Sequence, residues 1–81
     1  MARTEMSSRL LKRCGEALYG PRWQSDLARD LKVSDRTVRR WVAGSDDVPD
    51  GIYLELLWLC NERAGELDEL IALLPQAAAP R

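Results

Sequence analysis

The sequence predicts an all-α fold, a compact domain of four or five helices around a single core. Apolar residues recur at steps of three and four along most of the 81 residues, and no stretch alternates apolar with polar residues as a strand would. Helix punctuation separates these runs at Gly20-Pro21, Ser34-Asp35, Gly44 and Pro49-Asp50. The length fits one domain, assigned to residues 1–75, with 76–81 expected as a flexible tail.

The first helix, at about residues 5–18, places Met6, Leu10, Leu11, Cys14, Ala17 and Leu18 on one stripe. Gly15 within it costs about 1 kcal/mol relative to Ala. Gly20-Pro21 then ends this helix and opens the next, because Gly suits the residue past a helix end and Pro a first helical position. Helix 2 is expected from Pro21 or Arg22 to Leu31, burying Leu27, Ala28 and Leu31.

After a Lys32-Val33 turn, Ser34 is suited to cap helix 3, since its hydroxyl accepts from the free N–H groups of the next turn. Asp35 comes next, where the helix dipole favours negative charge. Helix 3 then covers about 35–43, with Val38 and Trp41 on one side and Asp35, Arg36, Arg39, Arg40 and Ala43 on the broad opposite side. Gly44 closes it, residues 45–49 form a loop, and Asp50 is expected to cap the C-terminal helical stretch. From Gly51 to Leu74 the pattern is helical throughout. Gly65 leaves open whether this stretch is one helix or two, of about 51–63 and 66–74.

Composition narrows the chemistry. At 46% hydrophobic and 31% charged, the chain reads as folded rather than disordered. No apolar run reaches the roughly 18 residues of a membrane span, and residues 1–8 lack a signal-peptide core, so no membrane association and a cytoplasmic location are expected. The chain has no His, which removes Ser-His and Cys-His pairs and imidazole metal ligands. Cys14 and Cys60 are far apart in sequence and each lies in an apolar helical pattern, so both read as buried free thiols. Asp46, Asp47 and Asp50 form a short acidic stretch of the kind water solvates, and no Gly-rich phosphate loop exists. The sequence therefore predicts no enzyme, no cofactor and no metal.

A net charge of −1 argues against a polyanionic partner only when taken as a sum. Residues 1–44 carry ten basic and five acidic side chains, whereas residues 45–81 carry two basic and eight acidic. The halves therefore stand at +5 and −6. Such an asymmetry marks a localised anionic partner.

Residues 24–41 join a helix with a small Ala28 on its inner face to a three-residue turn and a second short helix. Two helices crossing steeply need a small residue where their backbones approach, and Leu27, Leu31, Val33, Val38 and Trp41 sit where such a pair must be apolar. This is the helix-turn-helix arrangement of helices 2 and 3. Gln24, Leu27-Ala28, Leu31, Val33-Ser34, Thr37-Val38, Trp41, Gly44 and Pro49 together resemble the phage-repressor-like helix-turn-helix proteins of the Cro/C1 or Xre type. The resemblance covers residues 22–52, under half of the chain. That family commonly has Gly in the turn where Lys32 stands, so Lys32 is expected at positive φ. It also tends to have Ser or Thr where Trp23 stands, so helix 2 is expected to begin earlier here.

The resemblance implies a recognition helix, residues 35–43, entering the DNA major groove. Base contacts are expected from Asp35, Arg36, Arg39 and Arg40, because Arg is the commonest reader of guanine. Asp35 either accepts from cytosine N4 or orients Arg39 four residues on. Phosphate contacts are expected from Arg22, Gln24, Ser25, Thr37 and Ser45, near the helix N-termini and the loop after helix 3. Trp23 packs on helix 1 or lies along the sugar-phosphate backbone, with packing the preferred reading.

The acidic C-terminal part should face away from phosphate. In it Leu67, Leu70, Ile71 and Leu74 outrun the domain that would cover them, which predicts a dimerisation surface within about 51–74. The expected protein is a dimeric regulator, an (auto)repressor binding an inverted repeat in double-stranded DNA, in the manner of a small phage or mobile-element regulator. No small-molecule effector is evident. The alternative is a protein-binding module, such as an antitoxin or small inhibitor, acting through the apolar C-terminal helix.

Overall fold

A computed structural model describes residues 3–78, with side chains from residue 8 onward. It holds four helices and, among the described residues, no strand: α1 (Arg3–Tyr19), α2 (Trp23–Leu31), α3 (Asp35–Ala43) and α4 (Asp50–Ala78). The first three pack on one another, and α1 packs on the beginning of α4, around Leu11, Trp23, Leu27, Ala28, Leu31, Val38, Trp41, Val48 and Leu56.

In α1 the buried face is narrower than the expected stripe. Leu11 and Leu18 are buried and Cys14 half-buried, but Leu10 and Ala17 are exposed. At about 100° per residue, positions 10 and 17 lie roughly a quarter-turn or more from Leu11, outside the arc the other helices cover. Met6 lies outside the described side chains. Gly15 has a use that its cost in helix propensity conceals. It is buried against the indole of Trp23, whose benzo ring occupies the space a Cβ would need. Trp23 is 4% exposed, so it packs on α1 and has no free face to lay along a nucleic-acid backbone.

The turn out of α1 has Gly20 at φ +85°, its N–H donating to the Glu16 carbonyl at 2.8 Å. Pro21 and Arg22 belong to this turn, so α2 starts at Trp23, later than the expected Pro21 or Arg22. Across the turn, the Tyr19 hydroxyl donates to Asp30 Oδ2 at 2.6 Å. Burial, then the hydrogen bond to Asp30 and the Asp30 charge, push the phenol up to about 12. Here the folded state favours the protonated phenol. The tie is intact below the ordinary tyrosine value of about 10 and is lost as pH climbs towards the folded value. Ultraviolet titration of the native protein should show a phenolate step near 12 that Tyr19→Phe deletes and Asp30→Asn shifts downward. A native titration with no such late step contradicts the tie.

Between α2 and α3 the chain turns through Lys32 at φ 60° and ψ 41°, the left-handed conformation expected where Gly is common. The Val33 N–H donates to the Ala28 carbonyl at 3.0 Å, the closing bond of a Schellman turn. Ser34 caps α3, its Oγ accepting from the Thr37 N–H at 3.1 Å, an arrangement worth about 1 kcal/mol. At the other end Gly44 sits at φ 79°, with the Ser45 N–H donating to the Arg40 carbonyl at 3.0 Å. Ser8 Oγ donates to the Trp41 carbonyl at 2.8 Å and binds α1 to α3.

Helix α4 is continuous through Gly65, which settles the choice between one helix and two. It begins at Asp50 itself and passes Pro75, so residues 76–78 of the expected tail are helical, while 79–81 lie outside the described residues. Its 29 residues make a rod about 43 Å long. Leu56 is buried, Ile52, Tyr53 and Leu59 pack at the edge of the core, and Cys60 is half-buried. From Asn61 to Ala78 every residue is exposed. This projection accounts for the 57 × 26 × 21 Å extents of the molecule. Although long, no helix among the described residues is apolar enough to cross a membrane.

Candidate nucleic-acid interface

Helix α3 carries the candidate surface because its two faces differ so sharply. Val38 and Trp41 are 0% and 5% exposed and anchor one side in the core. Arg36, Arg39, Arg40 and Ala43 occupy the other side and are exposed. Arg36 and Arg39 make no ion pair among the described residues, so both guanidinium groups keep all five donors for a ligand.

Arg40 is engaged differently. Its Nε donates to Asp46 Oδ2 at 2.7 Å and its Nη2 to Oδ1 at 3.4 Å, a two-point contact across the Gly44 turn. The hydrogen bond from Arg40 holds the Asp46 carboxyl below its usual value, and Asp46 raises Arg40 in turn. Arg40 thus staples the loop after α3. The sequence contained a hint of this, since Gly44 in the left-handed conformation folds the chain back and brings residue 46 beside residue 40.

Asp35 is also engaged, accepting from Ser25 Oγ at 3.3 Å. This contact joins the beginnings of α2 and α3 and unites two residues expected to serve separately, one for bases and one for phosphate. Asp35 makes no ion pair with Arg39, so the orienting role four residues on is not formed. Arg22 is exposed at the α2 N-cap position, where no side chain caps the helix. Gln24 is half-buried one residue into α2. Thr37 is half-buried, with its hydroxyl 2.9 Å from Ser34 Oγ, and Ser45 is exposed after Gly44.

No protein-family model, curated protein or solved structure matches this chain.

Several neighbourhoods went unread in the sequence, the first of them local and the others tertiary. Arg29 pairs with Asp26 at 3.0 Å and lies 4.0 Å from Asp30, so part of the positive charge of the N-terminal half is spent within α2. Cys14 and Cys60 are brought together as half-buried free thiols, and burial, with the neighbouring Cys60 second, pushes the Cys14 thiol up. The crossing of α1 and α4 creates this proximity, and no local spacing reports it. Leu54 and Trp58, 70% and 61% exposed, line a 410 Å³ groove against Leu31 and Lys32. Among the described residues, no group of three or more His, Cys, Asp or Glu is placed to hold a metal ion.

Proposed function

We propose that this chain is a sequence-specific double-stranded DNA-binding regulator, a dimeric repressor that reads an inverted repeat through the major groove. The observation carrying the reading is the pair Arg36 and Arg39, adjacent, exposed and unpaired on the face of α3 opposite its buried Val38–Trp41 side. Each guanidinium suits bidentate contact with guanine O6 and N7. The turn between α2 and α3, closed by Lys32 and capped by Ser34, holds that face at a fixed angle to the core.

Other expected contacts take graded roles. Arg40 and Asp35 act at bases only by leaving Asp46 and Ser25, and Arg22, Gln24, Ser25, Thr37 and Ser45 serve phosphates at the helix ends and the loop. The acids of α4 stand out along the projecting helix, and dimerisation falls to Leu67, Leu70, Ile71 and Leu74, each half or more exposed. That same exposure favours a second reading, a protein-binding module docking a different protein on α4. Light scattering separates the two, since a homodimer in isolation disfavours the second.

The direct test is selection from a pool of random duplexes and then a fluorescence titration over a range of salt. The expected product is an inverted repeat with half-sites about one helical turn apart, bound with a logarithmic salt slope of about 0.9 per phosphate contacted. Failure to enrich any sequence, or binding indifferent to salt, refutes the reading.

A further inference from the structure

We propose that two copies pair α4 with α4 antiparallel over residues 63–78, about a two-fold axis between Leu70 and Ile71. This deepens the dimer in the proposed function and rests on it. Three features point the same way.

The first is steric. At about 100° per residue, Leu67, Leu70, Ile71 and Leu74 all fall within roughly 60° of the direction of Leu56 and Cys60. The exposed stripe is therefore the continuation of the face that packs on the head. Alongside the first half of that face runs α1, with Cys14 beside Cys60 and the Arg63 charge reaching Tyr19. A helix laid parallel along the stripe in the symmetric register would run into α1. Laid antiparallel, it ends with Ala78 opposite Arg63, where α1 has stopped, and its own head falls beyond Ala78 of the first copy.

The second is charge. Glu62, Glu66, Asp68 and Glu69 crowd one stretch of α4, and residues 70–78 carry no charged side chain. By the same count Glu62 and Glu69 face away from the stripe, Arg63 lies on it and Glu66 and Asp68 flank it. Parallel pairing therefore sets Arg63 beside its own copy and Glu66 beside Asp68 of the other. Antiparallel pairing sets the acidic stretch against the neutral one.

The third is helix stability. Residues 63–78 have no tertiary packing and contain Gly65 and Pro75, and a free helix of about that length is marginal even without them. Burial against a second copy supplies what propensity lacks. Leu54 and Trp58 lie on the other side of α4 and take no part.

The test uses the full chain with Cys14→Ala and Cys60→Ala, carrying either Leu67→Cys or Leu74→Cys. Both introduced cysteines stand on exposed positions, and circular dichroism checks that each variant keeps its helix content. In the proposed register, Leu67 of one copy faces Leu74 of the other, while like positions lie about 10 Å apart, beyond disulfide reach. Oxidised glutathione should therefore cross-link co-expressed Leu67→Cys and Leu74→Cys chains, and neither variant alone. Cross-linking within either single variant indicates parallel pairing and overturns the proposal. A monomer by light scattering, or a dimer that cross-links in no combination, also overturns it. Cross-linking in a protein that enriches no DNA sequence leaves the pairing standing and removes only the DNA reading.

Discussion

Arg36→Ala combined with Arg39→Ala is expected to lower affinity for the selected duplex by about 2–6 kcal/mol, on the order of thirty- to twenty-five-thousand-fold. Each residue presents an unshared guanidinium, and a bidentate guanine contact discriminates by about 1–3 kcal/mol. Neither residue is buried or paired among the described residues, so thermal stability should stay within about 0.5 kcal/mol of the parent. Arg40→Ala separates reading from scaffolding. Because Arg40 is held by Asp46, its loss should cost less affinity than loss of either neighbour while loosening the loop behind α3. Arg22→Ala should weaken all duplexes alike and reduce the salt slope by about one phosphate. Fluorescence anisotropy with matched and scrambled duplexes measures each outcome. Undiminished affinity in the double variant would show that α3 is not the reading surface.

Gly15→Ala should be among the most destabilising single-methyl changes available to this protein. Its Cβ enters the benzo ring of Trp23, which is 4% exposed and confined by the core. Overpacking of this kind costs about 1–3 kcal/mol and occasionally more, against a gain of about 1 kcal/mol in helix propensity. A net loss of about 1–2 kcal/mol is expected in urea unfolding. Gly15→Leu should not fold. Gly65→Ala is the control, because nothing lies near its Cβ and the same methyl should there be neutral or stabilising by up to about 1 kcal/mol. Pairing Gly15→Ala with Trp23→Leu should recover part of the loss, since the two positions share one volume. Equal stability for Gly15→Ala and the parent would show that Trp23 does not rest in this notch.

Features decided locally were legible in the sequence. Ser34 and Gly44 bracket α3 at the expected residues because capping depends on a few adjacent backbone groups. Lys32 adopts the expected left-handed conformation for the same reason, since the turn demands it whatever the side chain. Other positions departed from their local signals. Gly65 and Pro75 are breakers by propensity yet leave α4 whole with no tertiary packing around either, while Pro21 suits a helix start yet lies in a turn. Gly15 read as a weakness because its value depends on an indole eight residues on. Leu10 and Ala17 match a helical period but not the particular arc their neighbours cover. At the candidate surface, the outward position of three arginines came from counting residues around a helix. Which of them is already occupied did not, because that depends on a carboxylate beyond a turn.

Because α4 passes without a break from the core to its far end, the molecule has no hinge between the part that packs and the part that projects. Orientation is then transmitted as in a rigid shaft. One residue inserted between Asn61 and Leu67 advances everything beyond it by about 1.5 Å and turns it by about 100°. Under antiparallel pairing both heads turn together, so the mutual phasing of the two α3 helices is set by the residue count of α4. Seven inserted residues nearly restore the angle and lengthen each arm by about 10 Å. Spacing and phase would thus be tuned by insertions and deletions, leaving the arginine face unaltered.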